Sequence, residues 1–398
     1  MRNLCSAIVL AVLLSTFPSQ ASEREEEDSR GAVEMTWMSI ANWYFKVGPL
    51  RILMDGYITR VPQRLFVPSK QFPGDVFAFT SAPWPSNVTD VMRVRFALED
   101  EGRLDYVLAG HSHFDHTYDT AIWAALTNAQ IIGGLSTCFQ AQSQGLPQSQ
   151  CTEVSGSWAT GHGERLELGE DITLRVVRFN HSGNASNPLQ HFGRELSGPP
   201  VSDPVMGGFK AGVAEDYPNG GGGRAYLFTV GRGKERVSFF VNNSASAFDL
   251  DAPVTVDGAS FGSPLENLAA AMRDAGLISV DAWIGTGGLA VAQLVVPVIH
   301  PKAYIPNHWD GLFNPFWLGL PFPFNDKSLA AFLDAHGIQF MPQHQYFDKY
   351  RLDKNGVTAV PNHDLKHKLG FSDVQPFTAT TAAIAAAVSS AMPLDCDQ

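Results

Sequence analysis

Apolar residues change their period several times along this chain, and each period predicts an element. Residues 34–45 and 50–55 are apolar-rich runs that read as two short strands joined at Gly48-Pro49. Residues 60–87 are rich in proline and aromatics and read as a long loop. The run 103–109 (Arg-Leu-Asp-Tyr-Val-Leu-Ala) predicts a buried strand ending directly at Gly110, and 120–127 a short helix. Residues 165–168 and 172–179 predict paired strands leading to His181, and 220–223 a flexible glycine turn. Residues 225–230 and 236–241 predict a hairpin through Gly231-Arg232-Gly233. Helices are expected over 264–275 and 327–336, strands over 280–284 and 303–305, and a last strand starting at Phe340-Met341. Strands and helices thus alternate without an internal repeat, a pattern that suits a layered α/β architecture. The Ala-rich stretch 378–392 is either a docked helix or a loose tail.

With 398 residues, 44% of them hydrophobic, the chain can build a sizeable core as one large domain or two smaller ones. Its net charge of −12, with histidines neutral, and its lack of any basic run argue against nucleic acid as a partner. At the N-terminus, Arg2 precedes an apolar run over 7–17 and the small-residue exit Ser19-Gln20-Ala21, which predicts a cleaved signal peptide over 1–21. That run is too short to span a bilayer, so the mature chain is expected to lack a transmembrane segment and to be periplasmic or extracellular. Cys5 lies before the apolar run, which speaks against a lipid-anchored precursor. Three cysteines remain after cleavage. Cys138 and Cys151 either close a short loop in an oxidising compartment or stay as two thiols, and Cys396 sits in the tail. None has CxxC spacing, so a thiolate zinc cage is not supported.

The chemistry concentrates in His111-Ser112-His113-Phe114-Asp115-His116, three imidazoles and a carboxylate in six residues. Zinc takes nitrogen and oxygen ligands that converge tetrahedrally, and a single intervening residue lets His111 and His113 face one side of an extended loop. His181 and His308 also follow predicted strands and are the candidates to complete the set. His191 and His300 are their neighbours in sequence and compete with them, whereas His162, His336, His344, His363 and His367 lack the strand-end setting.

The HxHxDH motif, a later His after a strand and a last His near the end resemble the metallo-β-lactamase superfamily. The opening segments 35–37 and 52–55 resemble its lactonase and N-acyl phosphatidylethanolamine phospholipase D-like branch. The similarity covers roughly 34–344. It implies an αββα sandwich of the metallo-β-lactamase fold over 34–370, followed by an Ala-rich tail over 371–398. It further implies that His111, His113 and His181 hold a first zinc and that Asp115, His116 and His308 hold a second. A metal-activated water would be the nucleophile, Asp115 would relay a proton, and Asp55 would orient a ligand imidazole from behind. In one respect the chain departs from the pattern. Where the family places a metal-bridging Asp after the strand at 236–241, this sequence has Asn243 or Ser244, and Asp249 and Asp251 are the nearest carboxylates. One or two zinc ions are therefore expected, with a weaker second site.

After His308 the loop 309–324 is densely aromatic, and 66–85 is a second proline-rich aromatic loop. They read either as satellite core or as the apolar walls of a pocket. With predicted export, this favours an ester, lactone or phosphodiester substrate, small or lipid-like, over a β-lactam or redox chemistry. The alternative is a catalytically degenerate superfamily member that binds metal or a hydrophobic ligand without turnover.

Overall fold

Two mixed β-sheets lie face to face in the computed structural model, which describes residues 31–67, 79–80, 84–98, 103–181, 195–201, 222–314 and 316–371. The signal segment, Cys396, the Ala-rich tail, His191 and most of the 66–85 loop fall outside the described residues. In chain order the first strands are β1 (Val33–Ser39), β2 (Asn42–Val47), β3 (Leu50–Met54), the small pair β4 (Phe66–Val67) and β5 (Phe79–Thr80), then β6 (Tyr106–Leu108), β7 (Gln130–Gly133) and β8 (Cys151–Glu153). There follow β9 (Arg165–Gly169), β10 (Ile172–Arg178), β11 (Arg224–Val230), β12 (Val237–Asn242), the small pair β13 (Thr255–Val256) and β14 (Ala259–Ser260), β15 (Ala282–Gly285) and β16 (Ala303–Pro306). The last are β17 (Gln339–Phe340), β18 (Lys349–Asp353) and β19 (Gly356–Val360).

The first sheet runs β19-β18-β1-β2-β3-β6-β7-β8 and the second β17-β16-β15-β12-β11-β10-β9. Each is half antiparallel and half parallel: pairing is parallel from β3 to β8 in one, and from β12 to β17 in the other. Strand periodicity accounts for the layering. In β12, Val237, Phe239 and Val241 face the first sheet, while Phe240 joins Trp283 on the opposite side. Phe45 of β2 meets Phe239 at 5.5 Å and Phe228 at 6.3 Å across the sandwich. Helices Pro264–Asp274, Gly288–Ile299 and Lys327–Ala335 cover the outer face of the second sheet. Helices Val88–Ala97, Thr120–Thr127 and Leu135–Ser143 pack on the first. The fold is an αββα sandwich. Among the described residues no helix is long and apolar enough to cross a membrane.

Several predicted elements are observed almost residue for residue, including the helix Thr120–Thr127 and the β11–β12 hairpin. Others differ. The expected single strand over 34–45 breaks into β1 and β2, because Ser39 and Ile40 take positive φ of 109° and 49° and turn the chain back. Nothing in their side chains favours that backbone. The buried Asp310 imposes it from 270 residues away, accepting the Ile40 N–H at 2.8 Å and the Ser39 hydroxyl at 2.6 Å. The strand at 339–340 is not the last, since β18 and β19 extend the first sheet beyond β1. Gly288–Ile299 escapes periodicity because it is apolar almost throughout and carries Pro297 inside. Cys138 and Cys151 form a disulfide that ties helix Leu135–Ser143 to β8.

Candidate metal centre

Strand ends converge at one edge of the sandwich. β3 ends at Asp55, β6 leads into the histidine motif, β10 into His181, β12 into Asn243 and β16 into His308. Between His113 and His116 the chain makes one helical turn, Phe114–Thr117. The intervening residues anchor the motif: the Ser112 backbone carbonyl accepts from Gln140 Nε2 at 3.0 Å, and the Phe114 ring stacks on Phe313 with centroids 5.8 Å apart. Gly110 is required by a close approach, because a Cβ there would lie 2.0 Å from the Asn243 amide nitrogen.

This places two triads side by side. His111, His113 and His181 offer ligand atoms within 4.8 Å of one another, and Asp115, His116 and His308 do the same. His111 Nε2 faces His181 Nε2 at 3.1 Å. His308 Nε2 lies 3.0 Å from Asp115 Oδ2 and 3.2 Å from His116 Nε2.

What lies behind the rings decides whether a cation fits. His116 Nδ1 is 2.7 Å from Asp55 Oδ2, and a carboxylate only accepts, so this nitrogen carries a hydrogen. His111 Nδ1 is 3.1 Å from Asn243 Oδ1, whose orientation follows from its own Nδ2 donating to Asp55 Oδ2 at 2.8 Å. With Nδ1 protonated, each Nε2 is the atom left to bind a metal, and both point inward. Burial, then the neighbouring His116, His181 and His113, hold His111 well below the usual imidazole range, so its inward lone pair is free to coordinate. Burial works against charge on His116 as well, but Asp115 and Asp55 outweigh it and push the pKa to about 10. Burial likewise opposes ionisation of Asp115, and His116 with His308 overrides it and holds the carboxyl well below its usual range. Converging imidazole nitrogens plus one ionised carboxylate form a donor set that suits a divalent first-row metal.

Asp55 itself sits in a left-handed backbone, φ 60°, with Oδ1 accepting the Gly110 N–H at 2.9 Å. The remaining candidates lie elsewhere. Asp249 is buried against Asn180 Nδ2 at 2.9 Å and steadies the residue before His181, while Asp251 is exposed. Neither stands in for a bridging carboxylate. Ser244 is buried beside the centre, but it is in neither triad. His300 is exposed at the end of Gly288–Ile299, and His162, His336, His344, His363 and His367 are exposed too.

Sequence reading missed the scaffold that aims His308. That residue has φ 58°, and its N–H donates to the Ile40 carbonyl at 3.0 Å. Asn307 Oδ1 accepts from Trp43 Nε1 at 3.0 Å, and Asp310 also accepts from the Tyr346 hydroxyl at 2.8 Å. Their common signal was polarity next to a ligand in an otherwise aromatic loop. That loop packs inward: Trp309 stacks on Trp37 with centroids 5.4 Å apart and meets Phe324 at 5.4 Å, and Leu318 is left exposed. The satellite-core reading therefore describes most of its rings.

Architecture and site together define an αββα sandwich with a candidate metal centre of two adjoining His/Asp triads. Over 80 residues, 20% of this chain, the sequence is 35% identical to a UPF0173 protein of Pyrococcus furiosus. The chain spans only 34% of that relative's length. Among solved structures it is similar to a metallo hydrolase from the archaeon Ignicoccus hospitalis, at 11% identity over 80% of this chain and 98% of that one, TM-score 0.43. It is similar also to an isothiocyanate hydrolase from Delia radicum gut bacteria, at 11% identity over 79% and 98% of the two chains, TM-score 0.45. No family model matches the sequence.

Proposed function

We propose that the protein is an exported, zinc-dependent hydrolase acting on an ester, lactone or phosphodiester with a hydrophobic portion. The observation that carries this reading is the pair of adjoining triads, each with inward-facing donor atoms within 4.8 Å of one another. Hydrolase chemistry needs a nucleophile from water and an electrophile held beside it. When bound, the metal supplies both effects, lowering the pKa of water and polarising a carbonyl or phosphoryl oxygen.

The chain's own residues do the rest. His111, His113 and His181 would hold one ion, and Asp115, His116 and His308 a second. Asp115 Oδ2 faces His116 and His308, and this carboxylate is the group that would relay the proton of the attacking water. Asp55 keeps the His116 ring in one orientation. Phe313 and Leu312, half-buried beside Phe114, provide apolar surface near the motif for an acyl or alkyl group.

Export rests on the N-terminal apolar run and on a disulfide between Cys138 and Cys151, a bond that persists in oxidising compartments. A non-catalytic metal-binding protein is the second reading, favoured by the neutral Asn243 where a bridging carboxylate was expected. Elemental analysis of the purified mature protein, followed by a screen of aryl esters, lactones and phosphodiesters with and without chelator, separates the two. Stoichiometric metal with chelator-sensitive turnover supports the hydrolase. Stoichiometric metal without turnover on any of the three classes leaves the binding protein, and no metal defeats both. Detection of the mature N-terminus outside the cytoplasm tests export.

A further inference from the structure

We propose that Asn243 is a positioning residue that couples the two halves of the centre, fixing the His111 and His116 rings through one shared carboxylate, and that it does not stand in for a bridging ligand.

The contacts form a closed chain. Asn243 Oδ1 accepts from His111 Nδ1 at 3.1 Å, and Asn243 Nδ2 donates to Asp55 Oδ2 at 2.8 Å. The same Asp55 oxygen accepts from His116 Nδ1 at 2.7 Å. Asn243 Nδ2 and His116 Nδ1 lie 3.2 Å apart because they are two donors meeting at one acceptor. All four groups are almost wholly excluded from solvent, Asn243 at 1% and Asp55 at 0% exposure.

An amide is the side chain that closes such a chain, since it accepts from an imidazole N–H on one side and donates to a carboxylate on the other. The side chain lies behind the rings, against Gly110, on the side away from the inward Nε2 atoms. A carboxylate at 243 would keep the acceptor for His111 but set a second negative charge against Asp55 Oδ2, which Nδ2 now meets at 2.8 Å in a buried site. An apolar isostere would leave His111 Nδ1 without this acceptor and let the ring turn its other nitrogen inward. Partners of this kind behind a ligand typically change metal affinity by about 10–100-fold when removed.

This inference rests on the centre holding metal, as the proposed function requires, so the test reads binding rather than turnover. Zinc affinity of the full mature protein is measured by competition with a chromophoric chelator, and the cobalt-substituted form by its visible spectrum. Parent, Asn243→Leu, Asn243→Ala and Asn243→Asp are compared, with circular dichroism and thermal melting confirming the fold. The expected result is zinc binding about 10–100-fold weaker in the Leu variant, with altered cobalt bands. If the larger side chain prevents folding, the Ala variant provides the same reading. The Asp variant is expected to gain neither a metal equivalent nor affinity. A folded Leu or Ala variant within about threefold of the parent would overturn the coupling role, against the 10–100-fold expected of such a partner. An Asp variant that takes up more metal, or binds it more tightly, would show a bridging position and overturn it equally. A parent that binds no metal would instead defeat the proposed function.

Discussion

Asp310 is the point at which the His308 loop is clamped to the opening hairpin, and removing its carboxylate should damage both stability and the second triad. The group is fully buried. It accepts from the Ile40 N–H at 2.8 Å, the Ser39 hydroxyl at 2.6 Å and the Tyr346 hydroxyl at 2.8 Å. Arg60 donates in turn to the Ser39 hydroxyl. Hydroxyls can rotate towards new acceptors, but the Ile40 N–H cannot, and an orphaned buried donor costs about 1–3 kcal/mol. Adding the lost bonds to the carboxyl group gives about 3–5 kcal/mol for Asp310→Ala. Asp310→Asn retains one acceptor for Ile40 and presents an NH2 to the two hydroxyls, so about 1–2 kcal/mol is expected. Urea unfolding followed by fluorescence measures this. At an m-value of about 3 kcal/mol per molar, the Ala variant should move the midpoint down by about 1 M or more, and the Asn variant by about 0.3–0.7 M. Metal analysis of the folded Ala variant should show a loss at the triad containing His308. An Ala variant within about 0.5 kcal/mol of the parent, the range of a surface substitution, with metal content unchanged, would refute the clamp.

Four further outcomes follow from the same geometry. Replacing both Cys138 and Cys151 by serine opens a loop with a sequence separation of 13; by chain entropy this costs about 3 kcal/mol, read as a lower unfolding midpoint that reductant does not lower further. Gly110→Ala drives a Cβ to 2.0 Å from the Asn243 amide, so metal affinity should fall even where the protein still folds, as chelator competition would show. His308→Ala removes one triad and leaves the other intact, so elemental analysis should find one metal where the parent holds two. Chelator-stripped protein should melt below the loaded form by an amount that grows with free metal, since a ligand held at 100 times its Kd stabilises by about 2.7 kcal/mol; identical melting curves would argue against a native metal site.

Much of the frame was legible because its signals are local. The β11–β12 hairpin was legible because two apolar runs flank the turn signal Gly231-Arg232-Gly233. The motif His111 to His116 announces itself by density, and His181 and His308 by their position after strands. What escaped depends on partners far away in sequence. The turn at Ser39-Ile40 exists because Asp310 grips it, and no window around either residue contains that fact. Gly288–Ile299 lacked a polar stripe to set its phase. Asn243 was noticed only as a missing charge, since its real partners, His111 and Asp55, lie 132 and 188 residues away.

That missing charge changes meaning once its surroundings are known. Counted along the sequence, the second triad has one carboxylate, Asp115, to offset a divalent ion, and the loss of a bridging Asp suggests weak binding. In the fold a second carboxylate already acts on that triad. Asp55 stands 2.7 Å behind His116 Nδ1, and through this hydrogen bond it makes the inward Nε2 a more basic ligand. The first triad has the neutral Asn243 in the corresponding place behind His111. Negative charge is thus gathered around His116, with Asp115 on one side and Asp55 on the other, the same pair that raises its proton affinity when no metal competes. A metal bound at that nitrogen would take the place of the proton, and the two carboxylates would then act on the ion. The neutral amide at 243 lets the one buried Asp55 serve both rings without a second anion beside it, so the absence of the expected carboxylate and the geometry of the centre are one arrangement.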